Sequence, residues 1–123
     1  MTYNFYKVTH ILGILMLFSA WGGLLLFRFL QRTEPGSKTP VKMIMITHGL
    51  GLIITLIAGF GLLARLNIQS PWPLWVYGKL FIWLCLGGGV VLAKKKPQAW
   101  QTIWAGVVIL GLTSAFLAIY KPL

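Results

Sequence analysis

His10, His48, Lys79 and Ser114 interrupt runs of otherwise apolar residues, and Arg28 closes one such run. These side-chain types can do chemistry that their neighbours cannot. An imidazole can ligate iron or donate a hydrogen bond across a helix interface. An ammonium group inside an apolar run is costly and calls for an anion or a route to water. Lys79 stands in Trp75-Val-Tyr-Gly-Lys79-Leu-Phe-Ile-Trp83, and Glu34 is the only side-chain carboxylate of the chain. A haem propionate, a quinone oxygen or a lipid phosphate would each answer Lys79. So would snorkelling of its stem to the interface, or the terminal carboxylate of Leu123. Either histidine can instead hydrogen-bond to a serine, threonine or backbone carbonyl of a neighbouring helix, and Arg28 can serve as a topology anchor. Met45, three residues before His48, and Met43 add sulfur that with imidazole suits copper. No firm third ligand accompanies them, and methionines also pack apolar helices. Cys85 is single, so there is no disulfide framework, and a packing role suits it.

Depth sorts these groups. At 1.5 Å rise per residue, His10 falls roughly 7–10 Å below the end of the first run, and Lys79 roughly 7 Å below the matching end of the third. Thr113 and Ser114 reach about the same level from the fourth run, whereas His48 enters roughly 9–12 Å from the opposite side. His10 and His48 then differ in level by roughly 15–20 Å, which disfavours one haem held by both. His10, Lys79, Thr113 and Ser114 define one candidate layer, and His48 with Arg28 a second.

The elements that position these residues follow from composition. The chain has 123 residues, 58% of them hydrophobic, with a mean hydropathy of +0.82. Apolar runs at about 5–30, 42–64, 74–93 and 99–120 each reach the ~20 residues a bilayer-spanning helix needs. The expected fold is an all-α integral membrane four-helix up-down bundle forming one domain over 1–123. The net charge of +10 does not point to nucleic acid, because the basic residues follow topology. Arg28, Arg32, Lys38, Lys42, Lys94, Lys95 and Lys96 flank the first and third connections; Lys7, Arg65 and Lys121 flank the other side. That bias puts loops 1 and 3 in the cytoplasm and both termini outside, across a bacterial inner membrane with anionic lipid on its inner face. The first run reads as a retained helix: its basic residues follow the apolar core and no small-residue cleavage site appears.

Helix punctuation is clear in places. Pro35-Gly36 marks a turn, Thr39-Pro40 a helix start, and Pro71 and Pro73 with Trp72 and Trp75 an interfacial elbow. Ala20, Gly22 and Gly23 in the first run, and Thr47, Gly51, Thr55 and Gly59 in the second, are small residues suited to close helix contact. Such faces also suit a homo-oligomer or another membrane protein as partner. Gly87-Gly88-Gly89 allows tight packing or a bend. Thr9-His10-Ile-Leu12-Gly13-Ile14 recurs as Thr47-His48-Gly-Leu50-Gly51-Leu52, as in inverted-topology repeats. No nucleotide-binding loop, serine triad or zinc motif is present, and a proton-coupled transporter would call for carboxylates inside the runs.

His10 followed by Arg28 at its helix end, a histidine early in helix 2, and a tryptophan ahead of Lys79 form a pattern. With Leu86-Gly87, Leu92-Ala93-Lys94, Ala118 and Lys121-Pro122 it resembles the SirB-like family of small four-helix membrane proteins. More distantly it is similar to HemJ-type protoporphyrinogen oxidases and CopD-type copper proteins. The resemblance implies a shared bundle and a haem or quinone pocket, with no settled activity. The functional expectation is a redox-associated protein binding haem b, or quinone, through His10 and Lys79, with His48, Arg28 and Ser114 as further cofactor-binding candidates and His10 and His48 as metal ligands. The alternative is a non-catalytic protein that packs against membrane partners.

Overall fold

A computed structural model describes residues 2–33, 41–68 and 71–120. It contains α1 (Tyr3–Thr33), α2 (Val41–Arg65), α3 (Leu74–Lys95), a 3-10 turn (Pro97–Ala99) and α4 (Trp100–Tyr120). All four α-helices are long and apolar enough to cross a membrane, so the chain is a small multi-pass membrane protein with an all-α bundle fold. The turn at Pro35-Gly36, the helix start at Thr39-Pro40, Lys121-Pro122 and the Leu123 carboxylate lie outside the described residues.

Several helix ends lie further out than the apolar runs suggest, and two have a visible local reason. Thr2 Oγ1 accepts the Phe5 N–H at 3.2 Å, capping α1 from a position that hydropathy does not mark. Beyond Arg65, Asn67 adopts φ 58°. Ile68 N–H then donates to Leu63 O at 2.9 Å and Asn67 N–H to Ala64 O at 3.2 Å. That pair of bonds is a Schellman motif, satisfying carbonyls that the helix end would orphan. Ile68 packs beside Leu63 to complete it. α3 starts on extended Pro73, as the double proline predicts, and Lys96 N–H closes it on Leu92 O.

The helices alternate in direction and, beside a smaller cluster of Leu63, Trp75 and Val76, share one main core. Leu17, Trp21, Leu24, Leu25, Ile82, Leu86 and Val90 are its centre. α4 is the least enclosed, with Val107 its single buried residue. Exposed Val108, Ile109, Leu112, Phe116 and Ile119 make a surface suited to lipid. Of the three consecutive glycines, Gly87 meets the Leu52 side chain and Gly89 the Trp21 ring, while Gly88 faces open space. Gly87 and Gly89 thus serve packing, and the helix runs unbroken through all three.

α1 and α2 pack backbone to backbone. A Cβ on Gly13 would collide with Thr55 Oγ1, and one on Gly51 would come 2.8 Å from Leu17 N and 2.9 Å from Gly13 O. Small residues are what such an approach requires where lipid gives no hydrophobic drive to associate. Gly23 meets Ile44, Gly59 meets His10 and Gly61 meets Tyr6. Gly22, expected on this face, has no neighbour within 4 Å.

These contacts obey a rule. Adding 38 carries Tyr6 to Ile44, His10 to His48, Gly13 to Gly51, Leu17 to Thr55, Trp21 to Gly59 and Gly23 to Gly61. Every such contact has its counterpart across the crossing: Gly61 on Tyr6 answers Gly23 on Ile44, and Gly13 on Thr55 answers Gly51 on Leu17. The short sequence match therefore lies on a local twofold axis, and it extends further than its first six residues. Ala20, Gly23, Leu24 and Leu25 recur as Ala58, Gly61, Leu62 and Leu63. Two antiparallel helices with the same seam bury the same positions, as two halves of an inverted repeat do.

Candidate functional site: a cleft at the end that carries the N terminus

A cleft of about 560 Å³ opens among all four helices, at the end where α1 begins and α2 finishes. This volume lies within the range of small-molecule sites. Its wall is mainly apolar, and Lys7, His10, Thr55, Lys79 and Ser114 supply the polar groups. Trp75, Trp83, Phe18 and Phe60 add aromatic surface. The fold thus brings together three of the four residues of the expected layer: His10, Lys79 and Ser114.

His10 is oriented by α2. Its Nδ1 lies 2.9 Å from Thr55 O, and because a carbonyl only accepts, Nδ1 carries the hydrogen. In the neutral ring Nε2 then keeps the lone pair. A backbone carbonyl fixing one ring nitrogen while the other stays available is how proteins orient histidine ligands. The Thr55 hydroxyl is buried in the seam against Gly13 with no hydrogen-bond partner. Trp83 is held by a 3.0 Å bond from Nε1 to Leu52 O, which fixes one aromatic wall against α2.

Thr113 is not in the cleft. It is exposed and its hydroxyl donates to Ile109 O at 2.8 Å on its own helix. Depth put it beside Ser114, but successive helical residues point about 100° apart, and α4 turns Ser114 and Ala115 toward the cleft and Thr113 away from it.

His48 and Arg28 lie elsewhere. His48 is 4% exposed, and its Nε2 donates to Leu86 O at 3.2 Å. Trp21 Nε1 donates to the same carbonyl at 3.1 Å, and the two rings meet edge to face with centroids 6.0 Å apart. One carbonyl of α3 thereby ties α1 and α2 to it. Arg28 places its guanidinium 5.2 Å from the Phe27 ring centroid. Cys85 is partly buried and free. Among the described residues no three His, Cys, Asp or Glu side chains come together in a group that could hold a metal ion.

Lys7, Thr55 and Gly59 are cleft residues that chemistry-led reading of the sequence passed over. By sequence Lys7 reads as a flanking charge, although it precedes His10 by three residues, the spacing that puts two side chains on one helix face. Comparison with protein-family models, with curated proteins and with solved structures returns no match. The fold and cleft define a small four-helix membrane protein with an amphiphilic cavity.

Proposed function

We propose that this protein is a redox-associated membrane protein that binds haem b, or a quinone, in the cleft at its N-terminal end. It lies in a bacterial inner membrane with that end outside. The observation that carries the reading is His10 on the wall of a mainly apolar cavity, held by the Thr55 carbonyl through Nδ1 with Nε2 left available. The residues suit haem b: His10 Nε2 would hold the iron, Lys7 and Lys79 would meet the propionates, and Trp75 and Trp83 would flank the ring. Haem would supply a one-electron couple there. The same residues suit a quinone, whose ring oxygens would take hydrogen bonds from Lys79 and Ser114 while the tail follows the apolar wall. The SirB-like resemblance, with its distant likeness to HemJ-type and CopD-type proteins, agrees with a bundle that carries such a pocket. His48 and Arg28 fall outside this site and support packing and topology in this reading.

A second reading rests on a different observation. Both histidines donate to backbone carbonyls of another helix, which is what purely structural residues of a non-catalytic packing protein would do. Titration of the purified protein with haemin and with a short-tailed benzoquinone separates the two. Saturable binding of either, at one equivalent, supports the ligand site. A colourless protein that gains no Soret band with haemin and shows no saturable benzoquinone binding leaves the packing role.

A further inference from the structure

We propose that Trp21 fills, beside His48, the place that a flat ring ligand takes beside His10, and that Gly59 is the residue that keeps that place open. The inference deepens the reading of the cleft as a ligand site and rests on it. It follows from the twofold relation between α1 and α2. His10 and His48 are equivalent under the 38-residue offset, and so are Trp21 and Gly59. The structure pairs them crosswise: the Trp21 ring meets the His48 ring edge to face at 6.0 Å, and a Gly59 Cβ would stand 3.3 Å from His10 Cε1. The glycine contacts of the seam are alike on the two sides of the crossing, and what faces the histidine is not: His10 bonds Thr55 O of α2, whereas His48 bonds Leu86 O of α3.

The consequence is visible in the packing. At the His48 copy the indole is 1% exposed and sits in the core. At the His10 copy there is no side chain at the matching position, and both His10 and Gly59 line the 560 Å³ cleft. A twofold axis normal to an antiparallel helix pair keeps both copies on one face of it. α3 covers that face: it supplies Leu86 O to Trp21 and His48, and Lys79 and Trp83 to the cleft. The shape left open at the His10 copy is thus of the kind an indole fills at the other. A planar aromatic ring with hydrogen-bonding atoms at its edge is the ligand class this selects, over a lipid with flexible chains alone.

The test inserts the missing indole. Gly59→Trp is titrated with haemin and with a short-tailed benzoquinone in detergent, beside wild type and Gly22→Trp, a control at a glycine with nothing within 4 Å. The expected result is about tenfold or greater loss of affinity in Gly59→Trp, none in Gly22→Trp, and thermal unfolding of the unliganded Gly59→Trp no lower than that of Gly22→Trp. Gly59→Ala guards against misfolding, since its Cβ presses on a side chain rather than on backbone. It should weaken binding less than the indole and still measurably. Unchanged affinity in whichever Gly59 variant folds overturns the inference while leaving the ligand site standing. No saturable binding to wild type overturns both.

Discussion

Substituting alanine at Gly51 tests the helix crossing on which the cleft is built. A Cβ there would stand 2.8 Å from Leu17 N and 2.9 Å from Gly13 O, and ordinary contact begins at 3.4 Å. The obstacles are backbone atoms, so no rotamer change relieves them, and the two helices must part by about half an ångström. A gap of that size along the seam forfeits a quarter to a half of the dispersion energy of each contact there. Overpacking of this kind costs about 1–3 kcal/mol. Parting α1 from α2 also moves Thr55 O away from His10 Nδ1, now 2.9 Å distant, so the loss should sit toward the upper end of that range. The assay is reversible unfolding in detergent micelles, with Gly22→Ala as reference because nothing lies within 4 Å of that Cβ. The reference should stay within about 0.5 kcal/mol of wild type. Equal stability of the two variants would refute the close crossing.

Further predictions concern other links in the account. Trp21→Phe removes the Nε1 bond to Leu86 O and part of a core ring; a loss of about 1–3 kcal/mol is expected in the same unfolding assay. Asn67 holds φ 58° at the end of α2, so Asn67→Gly should leave stability within a few tenths of a kcal/mol while Asn67→Val costs about 1–2 kcal/mol; equal effects would discount the left-handed cap. Neutralising Lys94, Lys95 and Lys96 with glutamine should weaken the orientation bias, raising the fraction of chains whose termini a membrane-impermeant label fails to reach.

Much of the bundle was legible because hydropathy and run length are one-dimensional signals. The runs near 5–30, 42–64, 74–93 and 99–120 became helices whose ends differ by a few residues. At the start of α1 and the end of α2 the difference traces to Thr2 and Asn67, whose influence is a single side-chain bond or a backbone angle, neither of which hydropathy registers. The site was half legible. Residue type and depth found His10, Lys79 and Ser114, but depth without rotation about the helix axis also drew in Thr113, which faces the other way. Gly59 was recognised as a small packing residue, and its relation to Trp21 needed the crossing itself. A glycine signals nothing about which side chain its absence accommodates until the partner helix is in register. The repeated Thr-His-x-Leu-Gly hinted at that register, and the Gly13–Gly51 contact establishes it.

The measurement that bears most directly on the account is binding of haemin and of a short-tailed benzoquinone to the purified protein, compared between His10→Gln and His48→Gln. Both histidines bond to a carbonyl, but His10 alone of the two lines the cleft. The account predicts saturable binding of one of these ligands at one equivalent, lost in His10→Gln and kept in His48→Gln. Absence of saturable binding for both ligands, or the same loss in the two variants, would contradict it.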